Sequence, residues 1–245
     1  MLVTVSGFAN TGKDSVADLL CRTHEFVRVS LADPLKRAAQ DFYGFTDEQL
    51  WGPSHMRNAP DPRYPREHTW QRNGKESTCA CCGQETTRRM IEDDLWVENE
   101  VEPCFLTCRY ALQNLGTEHG RHCYPDIWVE YAIRVHDRLQ QGGCVYDQKG
   151  GVRFTSMVDS EMMTSKKNVV IPDTRFRNEL RLIRQAGGLS VRVKRPGVET
   201  PAWQHASETE QLSIPDSEFN YIVVNDGTLD DLAQKVQAMI KKLSM

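Results

Sequence analysis

Gly7-Phe-Ala-Asn-Thr-Gly12-Lys13-Asp14-Ser15 stands between a short apolar run, Leu2 to Val5, and a helix-like stretch, Lys13–Thr23. Glycines let backbone N–H groups converge on phosphate oxygens, and the lysine of such a loop supplies a positive charge to the β- and γ-phosphates of ATP. Because the pattern G-x-x-x-x-G-K lies between a strand and a helix, it predicts a phosphate-binding loop rather than a chance glycine turn. The candidate ATP contacts are Gly7, Gly12, Lys13, Asp14 and Ser15.

The residue after the lysine departs from the generic pattern. A Ser or Thr usually follows the lysine and binds magnesium through its hydroxyl, whereas here Asp14 follows and Ser15 comes one position later. A hydroxyl at that later position suits the subtype of the loop that small-molecule kinases use. We therefore assign Ser15 to Mg²⁺ and phosphate.

Further short apolar runs alternate with helical patterns along the chain. The strand candidates are Phe26–Leu31, Asn168–Pro172, Leu189–Lys194 and Tyr221–Asn225, and the helix candidates include Thr107–Leu115, Pro125–Gln141 and Arg175–Ala186. This alternation predicts a three-layer α/β P-loop NTPase fold, with a parallel sheet flanked by helices and ligands at the carboxyl ends of its strands. The predicted core comprises residues 1–43 and 107–245, with a loop or hairpin excursion at about 142–168.

Residues 44–106 differ in amino-acid composition from this core. Pro53, Pro60, Pro62 and Pro65 predict irregular backbone, and we interpret the segment as an inserted substrate-binding region. Arg57 lies in a loop of this segment that is suited to closing over substrate, and it is a candidate phosphate contact.

The same segment contains clustered cysteines. Cys79 and Cys82 form a C-x-x-C pair followed by Gly83, and Cys104 and Cys108 offer a second pair. Four thiolate or imidazole ligands satisfy tetrahedral zinc, which would give this segment a core. The candidate zinc ligands are therefore Cys79, Cys82, Cys104 and Cys108. Because Cys108 stands where a helix begins, His68, His122 or Cys123 could replace it, and free cytosolic thiols are the alternative.

A second phosphate-handling cluster follows the strand candidate at residue 168. Asp173 ends the apolar run and Arg175 comes two residues later. An acid in this position can orient magnesium or its waters, and an arginine can bind the transferring phosphates, so we assign catalytic roles to Lys13, Asp173 and Arg175. For Asp173 alone the alternative is a helix cap. For Arg175 and Glu179 it is an i,i+4 ion pair worth only about 0.2–0.5 kcal/mol.

Bulk properties narrow the class of protein. The 245 residues carry 30 Lys and Arg against 34 Asp and Glu, a net charge of −4, which does not suggest direct nucleic-acid binding. No apolar run approaches the roughly 18–20 residues of a membrane span. The N-terminus lacks the basic region of a signal peptide, and most of the eight cysteines are clustered, so we expect a protein of the reducing cytoplasm.

Seven segments together resemble the deoxynucleoside monophosphate kinases encoded by tailed phages. They are Ser6–Ser15, Leu31–Lys36, Arg109–Glu118, Trp128-Val129, Pro172–Glu179, Arg195–Gly197 and Val224–Leu229. The resemblance implies transfer of the γ-phosphoryl group from ATP with Mg²⁺ to a deoxynucleoside monophosphate (dNMP). It implies ATP and magnesium at Gly12, Lys13, Asp14 and Ser15, and dNMP contacts from Lys36, Arg109, Gly116, Thr117, Trp128, Asp173, Arg175 and Glu179.

Several alternatives stay open at this point. Lys36 and Arg109 would hold the acceptor phosphate, or serve as a solvated helix lysine and a helix-cap partner, and Trp128 would contact the base or belong to the core. Ala9 and Asn10 stand where some relatives carry basic residues, and Pro196–Ser213 occupies the place of a lid. Rival functions are kinases of other small acceptors, such as dephospho-coenzyme A or phosphomevalonate, and a P-loop ATPase or zinc-bearing module acting on nucleic acid. The sequence leaves a homodimer open.

Overall fold

The computed structural model describes residues 1–73, 76–87, 89–91, 95–97, 102–154, 167–198 and 206–243. Its strands are β1 (Leu2–Ser6), β2 (Phe26–Arg28), β3 (Pro60–Arg66), β4 (Trp70–Asn73), β5 (Glu76–Cys79), β6 (Glu85–Thr87), β7 (Arg89–Ile91), β8 (Leu95–Val97), β9 (Cys104–Thr107), β10 (Cys144–Asp147), β11 (Gly151–Phe154), β12 (Asn168–Ile171), β13 (Leu189–Lys194) and β14 (Tyr221–Val224).

Its α-helices are α1 (Lys13–His24), α2 (Asp33–Tyr43), α3 (Asp47–Trp51), α4 (Ser54–Asn58), α5 (Cys108–Asn114), α6 (Ile127–Gln141), α7 (Arg177–Gln185), α8 (Ala206–Ser213) and α9 (Leu229–Leu243). A π-helical segment, Leu115–Arg121, continues α5, and a 3₁₀ turn covers Asp216–Glu218. In the part of the chain that the structure describes, no helix is both long and apolar enough to cross a membrane.

The chain divides into two compact units. The core unit comprises Met1–Pro34 and Tyr124–Met245, and the inserted unit comprises Leu35–Cys123. The predicted insertion, residues 44–106, lies within the inserted unit.

One parallel sheet organises the core unit. Its strands follow the order β14-β13-β1-β12-β2, and each neighbouring pair is parallel. All five residues of β1 are buried, as expected for the central strand of a sheet that is covered on both faces. The loop that follows β1 therefore starts from the middle of the sheet.

Two apolar clusters cover the two faces of this sheet. On one face Val3 and Val5 of β1 pack with residues of α1 and α9, and on the other face Leu2 packs with residues of α6 and α7. Because successive side chains of a strand point to opposite faces, one short apolar strand serves both layers. The predicted α/β class, with a parallel sheet between helices, is confirmed.

The inserted unit is more regular than its prolines predicted. It contains antiparallel pairs β3–β9 and β4–β5–β6, and its own apolar cluster contains Ala39, Phe45, Leu50, Cys108 and Ala111. Strand β3 tolerates its three prolines because it pairs with one neighbour only and its register shifts between Pro60 and Pro65. The expectation of irregular backbone was therefore wrong for this strand.

The predicted excursion near residue 142 begins as a hairpin. Strands β10 and β11 pair antiparallel, with Cys144 opposite Phe154. Residues 155–166 of the predicted excursion lie outside the described residues, as do residues 199–205 of the segment assigned to the place of a lid.

Candidate active site

The phosphate loop begins where β1 ends, at the carboxyl edge of the sheet. Gly12 has a φ of +95° and stands at the N-cap of α1, where it offers no side-chain cap to the first helical N–H groups. A Cβ on Gly7 would lie 2.7 Å from both the carbonyl oxygen of Val193 and Oγ1 of Thr11. Both predicted glycines are therefore required by backbone geometry, and the start of the twelve-residue α1 is shaped to receive an anion.

A residue from the far end of the chain braces this loop. Nδ2 of Asn225, which follows β14, donates a 2.9 Å hydrogen bond to the backbone carbonyl of Thr11, and Oγ1 of Thr11 donates a 2.9 Å bond to the carbonyl of Phe8. Asn225 and Thr11 are both buried. The site residues predicted from sequence did not include Asn225, although an Asn-Asp-Gly turn at the carboxyl end of a parallel strand marks a position next to the ligand edge.

The charged residues of the loop are paired with one another. Nζ of Lys13 lies 3.7 Å from Oδ2 of Asp14, while the guanidinium of Arg28 contacts Asp14 at 2.5 Å and Asp18 at 2.8 Å. Burial opposes the charge on Arg28, but the two carboxylates outweigh it and raise the pKa of Arg28 above its ordinary value. Asp14 thus has a structural partner in Arg28, and ATP contacts by Asp14 and Ser15 stay predictions.

A cavity of about 450 Å³ adjoins the phosphate loop within the core unit. Gly7, Phe8 and Thr11 line one side of it, and the other side is formed by the end of β13 and by residues 211–216. A nucleotide base and ribose fit within that volume, since small-molecule sites of about 300–1,000 Å³ are common.

Asp173 lies at the end of β12, as predicted, but its carboxylate is occupied. Oδ1 accepts a 3.0 Å hydrogen bond from the N–H of Leu31, and Oδ2 accepts a 3.3 Å bond from the N–H of Ala32 and a further bond from Oγ of Ser30. The carboxylate therefore fixes the turn between β2 and α2. Magnesium contact by Asp173 stays a prediction.

The turn held by Asp173 includes a second acid that sequence reasoning missed as a site residue. Asp33 is completely buried, and its Oδ2 accepts hydrogen bonds from the N–H of Ser30 at 2.9 Å and from the hydroxyl of Tyr146 at 2.8 Å. Burial and the charge of Asp33 raise the pKa of Tyr146 above its ordinary value, so this phenol stays a donor. The result is a polar network at the carboxyl ends of β2 and β12.

Glu179 is a helix cap, and its assignment as a dNMP contact stays a prediction. Its side chain is fully buried, and Oε2 accepts hydrogen bonds from the N–H groups of Arg175 at 2.7 Å and Phe176 at 3.0 Å. These are donors that the first turn of α7 would otherwise leave without acceptors. The side chain of Arg175 is exposed at the same edge of the sheet.

Three of the predicted phosphate contacts belong to the inserted unit. Burial raises the pKa of the Cys108 thiol to about 11, while the positive charges of Arg57, Lys36 and Arg109 partly counter this rise. Nε of Arg109 donates a 2.5 Å hydrogen bond to Oδ1 of Asn58. A group of three cations is suited to a doubly charged phosphate.

Neighbouring contacts position these cations. Arg57 donates to the carbonyl of Gly52 at 2.6 Å and to Oγ of Ser54 at 3.0 Å, and Nζ of Lys36 lies 5.6 Å from the ring centroid of Trp51. Such contacts limit the conformations of long side chains before a ligand arrives.

The remaining predicted dNMP contacts, Gly116, Thr117 and Trp128, are buried or partly buried. Gly116 is buried in the π-helical segment, where a Cβ would lie 3.3 Å from Cδ1 of Leu35, and the carbonyl of Thr117 accepts the N–H of His122. Trp128 is partly buried against the α6 side of the sheet, which favours the core alternative for its ring.

Three of the four predicted zinc ligands come together, and the fourth does not. Nδ1 or Nε2 of His68 and the Sγ atoms of Cys79, Cys82 and Cys104 all lie within 4.8 Å of one another, so this cluster could bind zinc. Cys108 begins α5, where the side chain of Thr107 caps the helix, and Cys108 packs in the separate apolar cluster of the inserted unit. Helix formation thus removes Cys108 from the cluster, and the alternative ligand His68 takes its place.

Comparisons with known proteins agree with this geometry. A family model described as deoxynucleotide monophosphate kinase matches residues 152–236. A protein of Acanthamoeba polyphaga mimivirus, provisionally named a deoxynucleotide monophosphate kinase, is 24% identical over 246 residues, which cover 100% of this chain and 98% of that protein.

Two phage proteins match over their whole length as well. The deoxynucleotide monophosphate kinase of Enterobacteria phage T4 is 23% identical over 269 residues, which cover 99% of each chain. The protein of the same name from Escherichia phage RB69 is 22% identical over 260 residues, which cover 98% of this chain and 99% of that protein. The family model over residues 152–236 and these full-length relatives agree with the resemblance of the seven segments to deoxynucleotide monophosphate kinases.

Proposed function

We propose that this protein transfers the γ-phosphoryl group of ATP to the phosphate of a dNMP, which yields ADP and the corresponding diphosphate. The observation that carries the proposal is the phosphate loop, which starts from the buried central strand and ends on an uncapped helix N-terminus braced by Asn225. Similarity to deoxynucleotide monophosphate kinases supports a deoxynucleotide as the acceptor.

The core unit supplies the groups that hold ATP. Backbone N–H groups between Gly7 and Gly12 receive the phosphates, Lys13 neutralises charge at the γ-phosphate, and Ser15 contributes a hydroxyl to Mg²⁺. Arg175, exposed at the carboxyl edge of the sheet, stabilises the charge that develops on the transferring group. The cavity beside the loop supports this arrangement, because it offers space for the rest of the nucleotide next to the phosphates.

The inserted unit supplies the cations for the acceptor. The positive charges of Lys36, Arg57 and Arg109 all act on one buried thiol, and we assign the phosphate of the dNMP to these three side chains. An oxygen of that phosphate attacks the γ-phosphorus while the bond to the β,γ-bridging oxygen breaks. The attacking phosphate is already ionised near neutral pH, so the step requires positioning and charge neutralisation but no strong base.

Magnesium in this proposal accompanies ATP and is distinct from any metal at the Cys/His cluster. Hard oxygen donors, such as the Ser15 hydroxyl and phosphate oxygens, suit magnesium, whereas thiolates and imidazole suit zinc. A cytoplasmic location belongs to the same proposal, because all eight cysteines are free thiols and a reducing compartment keeps them so.

A coupled assay tests the transfer. Purified protein with ATP and Mg²⁺ is offered each dNMP and each ribonucleotide in turn, and ADP and the diphosphate product are quantified together by chromatography. We expect equimolar ADP and diphosphate with at least one dNMP, and neither product from the Lys13→Ala variant. ADP formation that never exceeds the acceptor-free background would overturn the proposal, and hydrolysis stimulated by DNA would favour the ATPase alternative.

A further inference from the structure

Four side chains of the inserted unit form a compact group of soft donors. They come from three separate segments, because His68 lies between β3 and β4, Cys79 and Cys82 flank the end of β5, and Cys104 begins β9. Cys79 and Cys104 are 1% and 2% exposed, and His68 and Cys82 are partly buried. Nothing in the proposed phosphoryl transfer requires these residues.

Two distances within the group match those of a tetrahedron around one metal ion, and all four ligand atoms lie within 4.8 Å of one another. Two sulfur atoms at about 2.3 Å from a tetrahedral zinc lie about 3.8 Å apart, and a sulfur and an imidazole nitrogen lie about 3.6 Å apart. The structure has 3.8 Å between the Sγ atoms of Cys79 and Cys104, and 3.7 Å between Sγ of Cys82 and Nδ1 of His68. A disulfide would bring two sulfurs to about 2.05 Å.

The backbone around the C-x-x-C pair presents both sulfurs to one side. The N–H of Gly83 donates a 2.8 Å hydrogen bond to the carbonyl of Cys79, and the N–H of Cys79 donates a 2.7 Å bond to the carbonyl of Gln84. Gly83 has a φ of +76°, which a residue with a side chain rarely adopts. This tight turn closes the loop that carries Cys79 and Cys82.

The imidazole of His68 is oriented for the same centre. Its Nε2 lies 3.1 Å from the carbonyl oxygen of Glu102, and its ring stacks on Trp70 with centroids 4.5 Å apart and planes 12° from parallel. Because a carbonyl oxygen accepts hydrogen bonds only, Nε2 carries the proton and the lone pair of Nδ1 faces Sγ of Cys82. Metal-binding histidines commonly have such a carbonyl partner on the second nitrogen.

We infer that His68, Cys79, Cys82 and Cys104 bind one Zn²⁺ ion in a closed structural site. Four protein ligands leave no position for water or substrate, which distinguishes structural from catalytic zinc. The ion joins the β4–β5–β6 sheet to the β3–β9 pair, whose shared apolar cluster otherwise consists largely of cysteines with Trp70, Leu106 and Tyr110. Zinc thus supplies the core that these short strands lack.

The first test is metal content and spectrum of the full chain. Protein purified without chelator should contain about one zinc per chain. After replacement by Co²⁺, the intense visible bands of tetrahedral cobalt should appear, with thiolate-to-metal charge transfer from three sulfurs. The His68→Cys variant should retain the metal and increase the charge-transfer intensity by a third.

Matched variants assign the ligands. Cys79→Ser, Cys82→Ser and Cys104→Ser should each lose most of the metal, whereas Cys108→Ser should keep it, since Cys108 lies in another cluster. Where a ligand variant fails to fold, the melting temperature of the wild-type protein is measured instead. Removal of zinc by a chelator should lower this temperature, and added zinc should restore it. Folded wild-type protein that contains no zinc, and whose melting temperature zinc does not change, would overturn the inference.

Failure of this site and failure of the proposed transfer are separable. Metal content and the cobalt spectrum do not depend on turnover, so an inactive protein with one zinc would uphold the site and contradict the kinase assignment. An active, zinc-free protein would support the kinase assignment and contradict the zinc site.

Discussion

The side-chain amide of Asn225 donates a 2.9 Å hydrogen bond to the backbone carbonyl of Thr11, which lies 214 positions earlier in the chain. Asn225 follows β14 at one edge of the sheet, and Thr11 belongs to the phosphate loop at its centre. The bond is buried, so the loop that should hold ATP is fixed by a residue that need not itself contact the nucleotide.

Asn225→Ala should weaken ATP binding more than it weakens the fold. A buried carbonyl without its donor costs about 1–3 kcal/mol, and a loosened loop no longer presents its N–H groups together. We expect the KM for ATP to rise about tenfold while the KM for dNMP changes little, as measured by initial rates with each substrate varied in turn.

Asn178→Ala is the matched control for this effect. The Asn178 side chain donates a 2.6 Å hydrogen bond to Oδ1 of Asp126, in the same unit and at the start of α7. Its loss should lower the melting temperature without raising the KM for ATP. Equal KM values in the two variants would contradict the bracing role of Asn225.

Arg109→Gln should affect the acceptor rather than ATP. Arg109 is exposed and hydrogen-bonded to Asn58, and its charge acts on the Cys108 thiol together with those of Lys36 and Arg57, so its proposed partner is the dNMP phosphate. Loss of a charge-assisted hydrogen bond of about 1.5–3 kcal/mol corresponds to a rise of about 10–100-fold in the KM for dNMP.

The control for Arg109 is an arginine that pairs only on a helix surface. Arg134→Gln removes an exposed i,i+4 contact of 3.4 Å to Glu130 and should leave both KM values unchanged. If Arg109→Gln behaves like Arg134→Gln, the acceptor phosphate is not held by Arg109.

Glu179→Gln separates a helix cap from a substrate ligand. The buried carboxylate accepts two N–H groups at the start of α7, and loss of such a cap costs about 1–2 kcal/mol. We expect the melting temperature to fall by about 5 °C. The KM for dNMP, measured at a temperature where the variant is folded, should stay at the wild-type value. A KM that rises while stability is unchanged would support the substrate role predicted from sequence.

Much of the fold could be predicted because local sequence and tertiary structure agree in the core unit. Strand β13 has the predicted bounds, Leu189–Lys194, since an apolar run between a Gly-Gly pair and a proline permits few other structures. The phosphate loop could be predicted for a similar reason, because its glycines are adjacent in sequence to the strand and the helix that they join.

The partners of Asp173 and the fourth member of the zinc cluster could not be found locally. Asp173 bonds residues 30–32 only because β12 pairs with β2, and no pattern around residue 173 specifies that neighbour. His68 reaches Cys104 because β3 pairs with β9, where Arg66 lies opposite Cys104. The spacing of Cys104 and Cys108 suggested a pair of zinc ligands. Because a helix begins at Cys108, the thiol of Cys108 packs in the apolar cluster of the inserted unit instead.

Asp61 gives the inserted unit an acid-sensitive contribution to stability. Hydrogen bonds from Arg63 at 2.7 and 2.9 Å are the main cause that lowers the pKa of Asp61 to about 2, with burial opposing and Gln49 assisting. Because the folded pKa lies below the unfolded value, the contribution is complete above about pH 5 and is lost progressively as the pH falls towards 2. Screening at the half-exposed Arg63 limits it to about 1 kcal/mol.

A double-mutant cycle of Asp61→Asn and Arg63→Gln measures this contribution. We expect urea unfolding to give a coupling free energy of about 1 kcal/mol near neutral pH, which falls to about half near pH 3, since the unfolded carboxyl is largely protonated there. Only the carboxylate attracts Arg63, so the coupling should decline in step with protonation of Asp61. A coupling that keeps its neutral-pH value at about pH 3 would mean that packing, rather than the charge of Asp61, joins the two residues.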